Sequence, residues 1–173
     1  GLSHDPLLRD IFVPLSCGAC IVVPDEAIVR APSELYAWLA DSSITFVHTT
    51  PQMLRLVSTG RGERPALTKL SHIFSGGDIL TPDCVAAARS VAPNANIINF
   101  YGSSETPQAM GFHVVDPRDT DGIPLGRGVD DVQLLVLTED LRMADMGATG
   151  QIGIRTHFLA SGYLGDPDGT SSK

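Results

Sequence analysis

Two features of the chain predict an α/β fold with a mostly parallel sheet and flanking helices, followed by part of an antiparallel β-barrel. Over residues 1–110, short β-branched and aromatic runs alternate with amphipathic segments, as strands and crossover helices do. Over residues 111–173, apolar runs are separated by Gly, Pro and Asp. We therefore expect an α/β subdomain at 1–110 and an incomplete β-rich portion at 111–173.

Start and stop signals define the predicted helices. Asp5 is a helix N-cap, Pro6 suits the first helical position, and apolar residues then recur at helical spacing until Gly18 ends the helix. Three further helices, which also start at or next to a proline, are expected at residues 32–39, 51–57 and 82–91.

Apolar and β-branched runs predict the strands. They occur at residues 19–23, 44–47, 73–74, 96–101, 132–137 and 151–155. Two polar segments, 76–78 and 101–106, follow predicted strands of the parallel part. Because ligands of such sheets bind at the carboxyl ends of strands, we expect both segments to contribute to one site.

Composition limits the classes of function. The chain has 173 residues, 43% of them hydrophobic and 18% charged, which indicates a folded domain rather than a disordered one. A formal net charge of -8 argues against nucleic acid as a partner. We find neither a membrane-length apolar run nor a signal peptide, so we expect a cytoplasmic protein that does not bind membranes.

Cys17 and Cys20 have the CxxC spacing, but no second pair completes a zinc site. They lie between an apolar helix and an apolar run rather than at the start of a helix, where a redox pair belongs. We interpret both as small core residues.

The segment from Asn99 to Thr106 combines an aromatic pair, a glycine, two hydroxyls and a carboxylate. These groups suit a nucleotide, because a ring stacks on a base, hydroxyls donate to phosphate and a carboxylate binds Mg²⁺. The same composition is also found where a strand simply exits into a polar loop.

Several motifs together resemble the adenylate-forming enzymes, which include nonribosomal peptide synthetase adenylation domains, acyl-CoA ligases and luciferases. Residues 101–106 resemble the aromatic-Tyr-Gly-x-Thr/Ser-Glu segment of that family, and 75–78 resemble its Gly-Gly-Glu/Asp turn. Residues 123–127 resemble Pro-x-Gly-Arg, and 150–164 resemble Gly-Glu-Leu-x-Ile followed by Leu-Ala-x-Gly-Tyr. The chain resembles the middle of such a domain: its second N-terminal subdomain and part of its β-barrel subdomain.

The resemblance implies a nucleotide site for ATP. Tyr101 would stack on adenine, Ser104 would contact the α-phosphate, and Glu105 would bind Mg²⁺, so Ser104 and Glu105 are the expected catalytic residues. The other expected nucleotide-binding residues are Gly76, Gly77, Asn99, Gly102 and Ser103.

The resemblance also implies a pocket for an amino acid. Asp5 would hold the substrate ammonium, although it also suits a helix cap. The remaining pocket residues would be Pro6, Arg9, His48, Phe74, Gly76, Phe100, Gln108 and Ala109. Polar groups at three of these positions are compatible with a polar or acidic substrate side chain, and the alternative is that Arg9 is an exposed helix charge.

We therefore expect a fragment of an ATP-dependent, Mg²⁺-requiring domain that forms an aminoacyl-adenylate for transfer to the phosphopantetheine thiol of a carrier-protein domain. The phosphate loop, the ribose-binding Asp and the catalytic Lys of that family find no match here, so the fragment alone is expected to be inactive. An acyl-CoA ligase fragment is the alternative, which a pairing role for Asp5 would disfavour. A non-catalytic nucleotide-binding domain is a third hypothesis.

Overall fold

A five-stranded sheet forms the centre of the molecule, as seen in a computed structural model that describes residues 6–171 apart from the side chains of Pro107 and Gln108. The strands lie in the order β1-β2-β3-β4-β5. The first three strands are parallel, whereas β4 and β5 join in antiparallel pairing. Their bounds are β1 Phe46–Thr49, β2 His72–Ser75, β3 Asn96–Ser103, β4 Thr106–Val114 and β5 Arg127–Gly128. This confirms the predicted α/β class.

Over residues 6–171, six helices accompany the strands. They are α1 Pro6–Ser16, α2 Glu26–Arg30, α3 Pro32–Asp41, α4 Pro51–Gly60, α5 Pro82–Val91 and α6 Pro167–Ser171. Thr50 and Thr81 begin α4 and α5, since each side chain accepts a hydrogen bond from the backbone N–H three residues later. A proline follows each threonine at the first helical position, as the sequence predicted.

Helices α3, α4 and α5 bury one face of the sheet. Side chains alternate along a strand, so Ile73 and Ile97 point into this layer, where both are almost fully buried. The helices meet them with apolar side chains, among them Leu35, Leu39, Leu54, Val85 and Ala88. Burial of this apolar surface is the main term that favours folding.

The opposite face of the sheet carries aromatic and histidine side chains instead. Phe46 and His72 stack on it with ring centroids 4.8 Å apart. Helix α1 reaches this face, because Asp10 contacts His48 there. The sheet therefore has helices on both faces, as predicted, and α1 is the element that brings polar groups to the second face.

The predicted strand at residues 19–23 is wrong. The described chain is irregular there, and Ile21, Val22 and Val23 are exposed. An apolar run forms a strand only when a neighbouring strand supplies hydrogen bonds, and this run has none among the described residues. Cys17 and Cys20 are also exposed, which corrects their assignment to the core.

The loop expected at residues 101–106 is mostly strand. β3 continues to Ser103, β4 begins at Thr106, and the two pair as an antiparallel hairpin with an irregular register near the turn. Only Ser104 and Glu105 remain outside the strands. The hairpin was missed because residues 106–114 mix Gly and Pro with apolar residues and show no clean alternation.

The predicted boundary at residue 110 stays a prediction, and β4 runs across it. Beyond the main sheet, β6 Gln133–Leu137 and β7 Gln151–Arg155 pair antiparallel, close to the two runs read from the sequence. Membership of this pair in a barrel also stays a prediction. Over residues 6–171, no helix has the length and hydrophobicity needed to cross a membrane.

We expect Gly60→Ala to destabilise the protein. A Cβ at Gly60 would lie 2.0 Å from the backbone oxygen of Pro32, so the start of α3 and the end of α4 would have to move apart. Overpacking of this kind costs about 1–3 kcal/mol. The free energy of unfolding from urea titration measures it, and Gly122→Ala is the control because a Cβ there meets no atom within 4 Å. Equal stabilities of the two variants would contradict the close approach.

Candidate functional site

Three rings line the second face of the sheet where β1, β2 and β3 end. His48 and Phe74 are directly paired in register, with ring centroids 4.7 Å apart. Phe100 lies one strand further, 5.2 Å from Phe74 and 6.3 Å from His48. The parallel arrangement thus brings together three residues that are distant in sequence, and they form one wall of a candidate pocket.

Helix α1 adds charge to this wall. The guanidinium carbon of Arg9 lies 5.9 Å from the centroid of the Phe100 ring, a distance at which cation–π attraction operates. Asp10 accepts a hydrogen bond from Arg9 Nε at 3.2 Å and contacts His48 Nδ1 at 2.7 Å. Arg9 is therefore turned toward the sheet, which contradicts its reading as an exposed helix charge.

The environment of His48 favours a neutral ring. Burial lowers the pKa of His48 below its ordinary value of 6.5, and the nearby Arg9 lowers it further. The Asp10 carboxylate opposes both effects but does not outweigh them. At neutral pH the imidazole is thus an uncharged hydrogen-bonding group in the wall.

Two glycines follow β2 directly. Gly76 passes so close to Phe100 that a Cβ would lie 3.3 Å from that residue's Cβ and backbone oxygen. Gly77 has a φ of +83°, which residues other than glycine rarely adopt. These two requirements explain the Gly-Gly turn, and they keep the end of β2 open beside the aromatic wall.

Two polar side chains are buried on the helix-facing side of the same edge. Asn99 is 2% exposed, and its amide donates to the backbone oxygen of Pro124 at 2.9 Å. Ser75 is fully buried, and its hydroxyl has no hydrogen-bond partner among the described atoms. Asn99 therefore holds the Pro-x-Gly-Arg segment against β3, in addition to any contact with a base.

The turn between β3 and β4 presents Ser104 and Glu105. The backbone oxygen of Glu105 accepts from Ala160 N at 2.9 Å, and its carboxylate accepts a hydrogen bond from the Tyr163 hydroxyl. This bond raises the pKa of Tyr163. A segment more than fifty residues away thus supports the acidic turn, and Tyr163 was not among the residues assigned a role from the sequence.

The structure brings some of the sequence-predicted site residues together and leaves others apart. Arg9, His48, Phe74, Gly76 and Phe100 come together. Pro6 begins α1 and Ala109 lies in β4, both partly buried. Tyr101 is partly buried near the end of β3, whereas Gly102, Ser103 and Ser104 are exposed. Asp5 and the side chain of Gln108 lie outside the described residues.

Asp10, which contacts both Arg9 and His48, was not singled out from the sequence. It follows Arg9 directly, and neither its spacing nor its neighbours distinguish it from an ordinary helix-surface acid. Only the fold brings it to His48.

Within the described part of the chain, no group of three or more His, Cys, Asp or Glu residues could hold a metal ion by itself. The acidic turn offers one carboxylate. That donor set suits Mg²⁺, which proteins often bind through one or two carboxylates and substrate phosphates.

A family model described as AMP-binding enzyme matches residues 1–164. The chain belongs to this family. The match confirms the resemblance to adenylate-forming enzymes that the motifs indicated.

Relatives of this AMP-binding chain include reductases and peptide synthetases. L-2-aminoadipate reductase from Schizosaccharomyces pombe is 36% identical over the whole chain, which covers 13% of that protein. Tyrocidine synthase 3 from Brevibacillus parabrevis is 30% identical over 93% of the chain, which covers 2% of the synthase. The chain therefore corresponds to a small part of each of these proteins.

Solved structures agree with this assignment. The nonribosomal peptide synthetase FmoA3 superposes with a TM-score of 0.90 at 31% identity, over 100% of this chain and 19% of that one. Its AMPPNP-bound form gives 0.89 at 32% identity, over the same shares of the two chains. PA1221, a synthetase protein containing adenylation and PCP domains, gives 0.83 at 28% identity, over 98% of this chain and 34% of that one. The AMP-binding chain thus has the fold of the corresponding part of these structures.

We expect His48 to make the stability of the protein pH-dependent. Its pKa is lowered in the folded state, so the unfolded state binds a proton first as the pH falls. Stability is then lost as the pH drops below 6.5 toward the folded pKa. Urea midpoints at about pH 7.5 and about pH 5.5 should therefore fall more for the wild type than for His48→Gln. Equal losses would show that His48 is not the responsible group.

Proposed function

We propose that the chain is part of an adenylation domain that joins the carboxylate of an amino acid to AMP. The observation that carries this proposal is the convergence of Arg9, His48, Phe74 and Phe100 at the carboxyl edge of the sheet, beside the glycine turn. The family match and the AMPPNP-bound form of the FmoA3 synthetase support it.

The proposed reaction is an in-line displacement at phosphorus. A substrate carboxylate oxygen bonds to the α-phosphorus of ATP, and pyrophosphate leaves with the electrons of the broken P–O bond. Catalysis then depends on positioning and on stabilising developing charge, rather than on a protein nucleophile. Mg²⁺, when bound, supplies positive charge to the phosphate oxygens. Glu105 would hold it, with its orientation set by the Tyr163 hydrogen bond.

The nucleotide would lie along the end of β3 and the glycine turn. Tyr101 would stack on adenine, and Gly76, Gly77 and Asn99 would line the base. Gly102 and Ser103 would bring the backbone to the nucleotide, and Ser104 would contact the α-phosphate. These roles agree with the positions of the residues at one sheet edge, which supports them.

The pocket favours an acidic amino acid. Arg9 brings a full positive charge to a wall that is otherwise aromatic, and a guanidinium pairs well with a carboxylate. Several relatives are named for L-2-aminoadipate, an amino acid with two carboxylates. We propose a substrate of this type, with one carboxylate activated and the other paired with Arg9.

The acyl group would then pass to the phosphopantetheine thiol of a carrier-protein domain. The PA1221 structure, which contains adenylation and PCP domains, supports such a partner. Reductases and synthetases both occur among the relatives. A cytoplasmic location remains a prediction from the sequence.

We expect Glu105→Gln, in a protein that includes the complete adenylation domain, to lower the rate of amino-acid-dependent ATP–pyrophosphate exchange. Loss of a preorganised charge at the reacting phosphate should cost on the order of 10²-fold in kcat. Binding of the amino acid should change little. Glu63→Gln removes an exposed carboxylate and is the control. An unchanged rate at saturating Mg²⁺ would remove Glu105 from the metal site.

We expect Arg9→Gln to reduce discrimination between L-2-aminoadipate and 2-aminohexanoate. The second compound has a single carboxylate, which the reaction consumes, so none remains to pair with Arg9. Loss of a charged hydrogen bond should lower kcat/KM for the dicarboxylate by about 10- to 100-fold. The monocarboxylate should change by less than about 3-fold. An equal fall for both substrates would mean that Arg9 does not bind a carboxylate.

A further inference from the structure

A single carboxylate oxygen joins helix α1 to the aromatic wall. Asp10 Oδ1 lies 3.2 Å from Arg9 Nε and 2.7 Å from His48 Nδ1. Both partners belong to the wall described above, whereas Asp10 itself makes no described contact with Phe74 or Phe100.

The contact with Asp10 determines which ring nitrogen of His48 carries the proton. An ionised carboxylate only accepts hydrogen bonds, so the proton of the neutral imidazole must be on Nδ1. Nε2 then carries a lone pair and acts as an acceptor. The ring also packs against Phe74, with centroids 4.7 Å apart, and Phe100 lies beyond it, 6.3 Å from the His48 centroid. Its orientation and its hydrogen-bonding character are therefore both fixed.

The contact also limits where Arg9 can point. The Nε–H is directed to Asp10, which leaves the terminal nitrogens of the guanidinium free of described hydrogen bonds. The carbon between them lies 5.9 Å from the Phe100 ring centroid. The outer edge of the guanidinium, which presents paired N–H groups, is thus the part left for a ligand.

We propose that Asp10 is a positioning residue of the substrate pocket, which acts by fixing the tautomer of His48 and the direction of Arg9. This inference rests on the proposed function, because it assumes that both side chains face the amino acid. Asp10 lies in the second turn of α1, beyond the N-cap region, so a capping role does not explain it.

A structural role is the competing explanation, since the same contacts also fasten α1 to the sheet. The two roles differ in whether the effect of losing Asp10 on amino-acid binding requires His48. If Asp10 only fastens α1, its loss lowers the stability of the protein whichever substrate is used. If Asp10 positions His48, its loss weakens amino-acid binding through the imidazole. A double-mutant cycle separates them.

The experiment measures KM and kcat for amino-acid-dependent ATP–pyrophosphate exchange in the protein with its complete adenylation domain. We expect Asp10→Asn to raise KM for the amino acid by about 10-fold, with KM for ATP and kcat within about 2-fold of wild type. Asp41→Asn, an exposed carboxylate at the end of α3, is the matched control and should change nothing.

In the cycle, Asp10→Asn is combined with His48→Leu. We expect the effect of Asp10→Asn on KM to fall below about 3-fold once His48 is absent. Asp10→Glu should recover most of the affinity because it keeps the charge. Independent effects of Asp10→Asn and His48→Leu, or an equal rise of both KM values, would overturn the proposal.

A second route tests the same contact if Asp10→Asn does not fold. His48→Asn keeps an N–H donor near the position of Nδ1, whereas His48→Leu has none. We expect His48→Leu to raise KM by about 10-fold and His48→Asn to raise it clearly less, because only the second keeps the hydrogen bond to Asp10. Equal KM values for the two variants would overturn the proposal. Wild-type protein without amino-acid-dependent exchange would instead defeat the proposed function.

Discussion

Strand β3 is the element on which the rest of the structure depends. It is the central strand of the sheet, parallel to β2 on one side and antiparallel to β4 on the other. Its alternation sends Ile97 into the helix-covered core and Phe100 to the opposite face. Its end carries the segment with the candidate nucleotide residues. A shift of one residue in its register would exchange the core face and the site face, so the apolar core also fixes the geometry of the site.

The pocket wall is built from two kinds of interaction. The rings of His48, Phe74 and Phe100 are placed by the sheet, whose hydrogen bonds define their spacing. Arg9 is placed by α1, whose described polar contact with the sheet passes through Asp10. The first part is rigid because it belongs to the core, and the second depends on one partly exposed carboxylate. The charged side of the pocket is therefore the side most sensitive to single substitutions.

The acidic turn is supported from outside the sheet. Glu105 receives a backbone hydrogen bond from Ala160 and a side-chain hydrogen bond from Tyr163. Two motifs that are separate in the sequence, the hairpin turn and the Gly-Tyr segment, thus form one unit. A carboxylate that is already oriented pays less for reorganisation when a cation binds, which is the physical value of such support.

Local patterns in the sequence determined the helices with threonine or proline starts, the parallel strands and the glycine turn, because these depend on residues close together along the chain. They failed at residues 19–23, where strand formation needs a partner that the local pattern does not reveal. They also failed at the β3–β4 hairpin, where Gly and Pro obscure the alternation. The motif resemblance predicted that Arg9, His48 and Phe100 line one pocket, and the structure brings these side chains together. Only the tertiary structure decided that Asp10 contacts His48, 38 residues away, and that Tyr163 contacts Glu105, 58 residues away. Such pairs leave no periodic signal, because their meeting depends on how whole elements pack.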